Sequence, residues 1–481
     1  MRFFIYLRCL SGLLVCVAFL FSPFAGQAQI LYAQPTDSSL VTTRFTKTQV
    51  QEDLEFLLHT LQQAHPNLYH SVSREQLTRY KDSVAAALPA HLNSFQAIFA
   101  LSAVVAQLNE GHLGFVTHQE QWKHFYREAQ VFPFTIAEVM HDALIIQKDL
   151  SQPQHLAPFD TIWAINGIPV RHLIQKYKNL NGGLDCWRTR HVKNNLHFLL
   201  FADSIRSPFR VRASHRGRFT HFTVEGNPYP KPSPSGSTVS SPAYYTYQVL
   251  PDSVAYLNFR RMWGYHSRFI SFLDSAFTDM HVRGVQKLVI DLRYNGGGDP
   301  RLGQILLSYL TRKPYRFHAF TKFKLSKPSK EFQYDLVNST IPKPVRVLLK
   351  SLPNGLVKTT RYKAKSHRTR QPFYTGQFCF LIGQGTFSAA NNLAGSIKEY
   401  GLGTLIGEAT CEPLNDYGEM MSFMLPHTRL VASTPSEYFT HPTGDRHNRD
   451  GVQPDVVVKP TQRDRAQGRD AVLEFAQRWF P

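Results

Sequence analysis

The segment GQGTFSAANN, Gly383 to Asn392, sets one hydroxyl, that of Ser388, between a short apolar run, FCFLI (Phe378 to Ile382), and a stretch with helical spacing. An alcohol becomes a nucleophile only beside a base. A downstream lysine is one common helper, and none occurs between Lys398 and Lys459. A serine that opens a helix is ordinarily its cap, and spacing alone favours that role. A nucleophile in the same place would gain from the positive end of the helix and from the Ala389 amide. A second stretch, DLRYNGGGD (Asp291 to Asp299), lies where an apolar strand gives way to a helix. Its three glycines allow close backbone approach, and their amides could face a developing oxyanion; a plain tight turn is the other reading. No Gly-Lys-Ser/Thr follows, so it is not a phosphate loop.

The elements that must carry these loops read as α/β. Val50, Leu54, Leu57, Leu58 and Leu61 recur at helical spacing and Pro66 ends that helix; Ser73 with Gln76 forms a capping box before a second helix. A third apolar stripe runs from Phe95 to Leu108, with Gly111 expected to close it in a left-handed turn. From Val131 the texture changes to short strands: VFPFTIAEV, ALIIQ and DTIWAINGIPV. A Pro/Ser/Gly-rich piece, Gly226 to Pro242, reads as a linker. Beyond it SVAYLNF, an amphipathic segment Phe269 to Met280, KLVIDL and a helix opened by Asp299-Pro300 alternate as in an α/β domain.

The bulk numbers agree with a globular chain of two or three domains: 481 residues, 43% hydrophobic and 19% charged. Arg2 and Arg8, an apolar run Cys9 to Phe21 and the ending Gly26-Gln27-Ala28 have the form of a cleaved secretory signal. Its removal would leave Cys186, Cys379 and Cys411, too few for a disulfide framework although one bridge could form. No Cys-x-x-Cys or His-Glu-x-x-His occurs and the histidines are scattered, so neither a metal nor a cofactor is expected. The net charge of +19 is concentrated between Thr311 and Arg370, where sixteen Lys and Arg face two acids, Glu331 and Asp335. Such a face suits anionic envelope surfaces; with a secretory signal and no binding motif, nucleic acid is not expected.

Taken together and in order, KLVIDLRYNGGG, the run GQFCFLIGQGTFSAANNLAGSIKEYGLGTLIGEAT and DGVQPDVVV (Asp450 to Val458) resemble the tail-specific (C-terminal-processing) and tricorn-core serine peptidases, closer to the tricorn-like branch. QLNEGHLGF, Gln107 to Phe115, is similar to the family's acid-Gly-His segment. The resemblance implies a crotonase/Clp-protease-like α/β core with an N-terminal helical region and a small β-rich, PDZ-like module. It implies Ser388 as nucleophile, oxyanion donors at Gly297 and Ala389, and peptide or protein substrates. One branch uses a lysine about 25 residues beyond the serine, where this chain has Cys411, Glu412 and Pro413; the other uses a histidine, here His112. Imidazole suits that task because its ordinary pKa of about 6.5 lets it accept a proton near neutrality. For the orienting acid the tricorn-like pattern calls for a glutamate where this chain has Asn448, with Asp450 and Asp445 as nearby substitutes, and Asn391 stands where the lysine branch often has glutamate. PFDTIWAINGIPV, Pro158 to Val170, is similar to the family's PDZ segment.

The expected organisation is a signal peptide (1–28), a helical region (45–125), a β-rich module (126–225), a linker (226–247) and a catalytic core (248–481) with a basic insertion (311–370) that could form a lid. Two functions stay open: a secreted or periplasmic serine endopeptidase, and an inactive relative that binds peptides or envelope components.

Overall fold

Alternate side chains of the strand Lys287–Asp291 enter different cores. Leu288 and Ile290 join one cluster, whereas Val289 joins another on the opposite face. A strand buried on both faces belongs in the middle of a covered sheet. The computed structural model, which describes residues 38–116, 119–215, 217–229, 243–332 and 343–480, places it there. The six-stranded sheet runs in the order Tyr245–Leu250, Val254–Phe259, Lys287–Asp291, Gln377–Ile382, Thr404–Gly407, Val456–Val457. Only the first pairing is antiparallel; the other four are parallel. Helices His266–Val282, Pro300–Leu307 and Ala389–Tyr400 cover one face, and Ala471–Trp479 covers the other through Val472 and Ala476. Both chemistry-bearing loops leave the carboxyl ends of adjacent parallel strands, where open α/β sheets place their ligands.

The N-terminal helices Lys47–Ala64, Arg74–Ala87 and Ser94–Ala106 each begin in a capping box, and that of the second is Ser73 with Gln76, as the sequence predicts. The third helix ends differently from expectation. Asn109, not Gly111, takes the left-handed conformation, with φ of 50°. Asn tolerates that region because its short polar side chain bonds locally. These helices pack on a long hairpin, Asp416–Met424 with Val431–Phe439, through Met421, Phe423, Leu425, Leu430 and Ala432. Fully buried Asp53 fixes the contact by accepting the amides of His427 and Thr428 and the Thr428 hydroxyl, at 2.9, 2.8 and 2.5 Å.

The β-rich module is an antiparallel sheet in the order Arg218–Val224, Phe209–His215, Thr161–Ile165, Leu144–Asp149, Phe134–Val139, with helices Val170–Lys178 and Asp185–Ala202. Its core includes Leu173, Ile174, Val192 and Leu196 from those helices. The signal segment and most of the 226–247 linker lie outside the described residues. The basic insertion is built into the fold where it is described. Its strands Phe320–Lys324 and Val357–Arg361 extend the sheet formed by the long hairpin, and Thr321 pairs with Phe439. It therefore walls the hairpin rather than hanging free as a lid. No helix among the described residues is long and apolar enough to cross a membrane.

The same hairpin holds two neighbouring acids, Glu419 and Glu437; Glu437 pairs with Gly418. Burial, then the charge of Glu437, pushes Glu419 from its ordinary 4.5 up to about 8. The folded state thus keeps a proton that the unfolded chain releases. The stabilisation is fully present below about pH 4.5 and is lost as pH rises through about 8. Because Glu419 is only partly covered, Glu419→Gln is expected to recover on the order of 1–2 kcal/mol at pH 9 and nothing at pH 4. Denaturant unfolding at both pH values checks this.

Candidate active site

Two loops are laced together before any catalytic side chain is considered. Asn295, fully buried, donates its side-chain amide to the Phe259 carbonyl at 2.8 Å and accepts the Gly297 amide at 2.9 Å. Its own carbonyl accepts the Phe387 amide at 3.0 Å, and the Thr386 hydroxyl donates to the Leu292 carbonyl at 2.7 Å. Arg293 closes the outer side through paired contacts to Asp291 and Asp470. Gly297, with φ of 88°, is pressed against the serine: a Cβ there would lie 2.8 Å from the Ala389 nitrogen, the Phe387 oxygen and the Ser388 Cβ. Only glycine fits.

Ser388 itself sits at φ 54° and ψ −127°, a strained backbone for a residue with a side chain. It directly precedes helix Ala389–Tyr400, yet its hydroxyl makes no capping bond. The cap reading is therefore overturned: the backbone at this sharp turn aims the side chain away from the first helical amides. The Gly401 stop is left-handed, as expected.

His112 reaches the same place from the other half of the chain. Its ring packs on Phe387 with centroids 4.8 Å apart, and Trp187 stacks on the same Phe387 ring at 4.0 Å. Glu412 joins the two candidates. One carboxyl oxygen accepts the Ser388 amide in a short contact, and the other lies 3.4 Å from His112 Nδ1. Asp416 and Glu110 also face Nδ1, at 3.2 and 3.5 Å, and Glu110 accepts the His112 amide at 2.6 Å. Asn391 holds the Glu412 segment by donating to the Glu412 carbonyl at 2.9 Å while accepting from Thr410 at 2.6 Å. A disulfide, Cys186–Cys411, ties the residue before Glu412 to the start of helix Asp185–Ala202. Cys379 is free and buried in the sheet.

Charge in this cluster is uneven. Burial alone would lower the pKa of His112, but the charge of Asp416, then the close carboxyls of Glu110 and Glu412, hold it well above 6.5. Burial, and next the charge of Asp416, raises Glu412 well above the ordinary carboxylate range. Burial likewise raises Glu110. Burial would raise Asp416 too, yet the neighbouring His112 leaves it below its usual value. The cluster thus favours a charged His112 beside an ionised Asp416, while burial works against the charged forms of Glu110 and Glu412. Glu110, His112 and Asp416 offer ligand atoms within 4.8 Å of one another, so a small divalent cation could also be held there.

The orienting acids expected from sequence do not join this cluster. Asn448 accepts the Leu414 amide at 3.3 Å and its carbonyl accepts from Asn415. Asp445 accepts the His447 amide at 2.8 Å, and Asp450 is exposed. The stretch that holds them braces the 410–415 segment instead, through Leu414, Asn415 and the pairing of Pro413 with Gly451. Ala389 lies at the helix start beside Gly297, as expected, but the Gly297 amide is engaged by Asn295. Sequence reasoning missed Glu412 and Asp416 as partners of His112; Glu110 had a signal, its place two residues before His112 in the acid-Gly-His stretch.

Residues 253–458 match the model of peptidase family S41. No curated protein matches the chain. Among solved structures, mature CPAF is 14% identical with a TM-score of 0.61, over 90% of this chain and 96% of that one. Mature CPAF complexed with lactacystin gives 14% identity and 0.61, over 90% and 97%. A CPAF S499A mutant gives 13% and 0.62, over 89% and 98%. These likenesses show a shared fold across nearly the whole chain. The matched residues carry both the serine turn and the glycine loop, so this part of the chain is similar to peptidase family S41, a match that supports a serine peptidase.

Proposed function

We propose that the chain is a secreted or periplasmic endopeptidase that cuts peptide bonds through Ser388, with His112 as general base. One observation carries this: a single carboxyl group, that of Glu412, touches both the Ser388 amide and the His112 ring, although the two residues come from opposite halves of the chain. In this reading the Ser388 hydroxyl attacks the peptide carbonyl and gives its proton to His112. Asp416, on the Nδ1 side, stabilises the imidazolium that forms, and His112 then passes the proton to the leaving amine. The Ala389 amide, at the positive end of its helix, faces the developing oxyanion. Gly297 can add a second donor by releasing Asn295; Gly296, whose amide makes no hydrogen bond among the described residues, is the loop's ready alternative.

The charged resting state has a consequence. A base whose pKa is held well above 6.5 must lose its proton before it can act, so the rate should climb with pH above that value. Asp416→Asn removes the group that most raises His112 and should move the ascending limb of the kcat/KM profile to lower pH by about one unit, while the plateau falls by about 10- to 1000-fold. A pH–rate profile of the variant checks both.

The apolar run Cys9 to Phe21 supports export. The antiparallel sheet of residues 126–225, with an edge strand at Arg218–Val224, supports a PDZ-like role in which extended peptide adds to that edge. The basic 311–370 wall favours anionic envelope surfaces. A second reading, a peptide-binding relative without turnover, is favoured by the imidazolium state of His112. Labelling with a serine-directed fluorophosphonate separates them: the enzyme reading requires labelling of the wild type and none of Ser388→Ala, and an unlabelled, folded wild type favours the binder.

A further inference from the structure

Beside the serine turn lies a cavity of about 270 Å³. That is room for one side chain or one chain end rather than a whole ligand. Its lining includes Arg190, His191, Asn195, Tyr294, Gly296 and Phe387, so it opens directly between the glycine loop and the residue preceding Ser388. No Asp or Glu lines it. Arg190 lies on Gly385: a Cβ there would come within 2.6 Å of a guanidinium nitrogen, so the loop's small residue makes the space that the cation occupies. Among the described residues the Arg190 guanidinium has no ion-pair or hydrogen-bond partner, in contrast to that of Arg293, which is doubly paired. Burial lowers the Arg190 pKa, and burial also pushes His191 down to about 4, leaving it neutral. A half-buried, unpaired guanidinium costs free energy unless an anion completes it, and its planar fork matches a carboxylate.

We propose that this cavity is a substrate subsite that takes a carboxylate next to the scissile bond, either an acidic side chain or the free C-terminus of the peptide, and that Arg190 reads it. The proposal rests on Ser388 as the nucleophile, because the cavity's place in the substrate path is defined by that residue. It assigns selection to the helix Asp185–Ala202, which the Cys186–Cys411 disulfide fastens to the Glu412 segment.

The test uses the full folded enzyme and three fluorogenic peptides of one core sequence: an internal Glu with both ends blocked, a neutral peptide with a free C-terminus, and the neutral peptide with both ends blocked. The expected wild-type result is a preference of about tenfold or more in kcat/KM for one carboxylate-bearing peptide over the blocked neutral one, carried by KM. Which of the two is preferred identifies the source of the carboxylate. In Arg190→Ala that ratio collapses towards one, and Arg190→Lys restores part of it. A ratio unchanged in Arg190→Ala, or no preference in the wild type, overturns the proposal while leaving the serine peptidase reading intact. Binding of the same labelled peptides to Ser388→Ala, followed by fluorescence anisotropy, separates the two ideas. Arg190-dependent binding of the carboxylate peptide by a chain whose wild type cuts nothing supports the subsite and sinks the endopeptidase reading.

Discussion

Ser388→Ala is expected to lower kcat/KM by about 10⁴-fold or more, with folding and peptide binding retained. The size follows from the role: without the hydroxyl no acyl intermediate forms, and only the amide donors and binding contacts remain. Folding should survive because the hydroxyl caps nothing and the turn is held elsewhere. The Ser388 amide bonds Glu412, the Phe387 amide bonds Asn295, and the Asn392 amide closes on the Ser388 carbonyl at 3.0 Å. Alanine keeps all three. A modest loss, with fluorophosphonate labelling persisting at another residue, would place the nucleophile elsewhere.

The second large effect belongs to His112. His112→Ala is expected to cost about 10³- to 10⁶-fold in kcat/KM, mostly in kcat. The substitution also removes the cation amid Asp416, Glu110 and Glu412, at 3.2 to 3.5 Å. Burial already works against the charged forms of Glu110 and Glu412, and Asp416 loses the cation that lowers its pKa, so that pKa should rise. Circular dichroism and the thermal midpoint near pH 6 check that the variant folds. His112→Gln, which keeps a polar group without the base, should show the same kinetic loss and a smaller stability change.

Much of the frame was legible because its signals are local. The Ser73–Gln76 box, the Gly401 stop and the apolar strand KLVIDL each depend on a few adjacent residues, and each forms as read. Ser388 and the glycine loop were legible as a pair, since strand–loop–helix order fixes where both emerge. The acids were not. Whether Asp416 or Asn448 faces His112 depends on how a hairpin from one end of the chain meets helices from the other. That meeting is settled by contacts such as Asp53 to Thr428, 375 residues apart. In the sequence Glu412 stands where the lysine branch has its base, but its link to the Ser388 amide follows only from the Asn391 and Thr410 bonds that hold its segment. Asn109 in place of Gly111 as the left-handed residue is the same lesson in miniature. A Cβ at Gly111 would meet the Phe387 ring at 3.4 Å, an ordinary contact, and its own dihedral is not left-handed.

Two residues from distant parts of the chain acting as one catalytic unit is the core of this account, and a kinetic cycle addresses it directly. The kcat/KM of Ser388→Ala, His112→Ala and the double variant, measured on one peptide with folding verified, should show two severe single losses and a double variant no slower than Ser388→Ala alone. Independent, multiplying losses, or a folded His112→Ala with wild-type turnover, would contradict it.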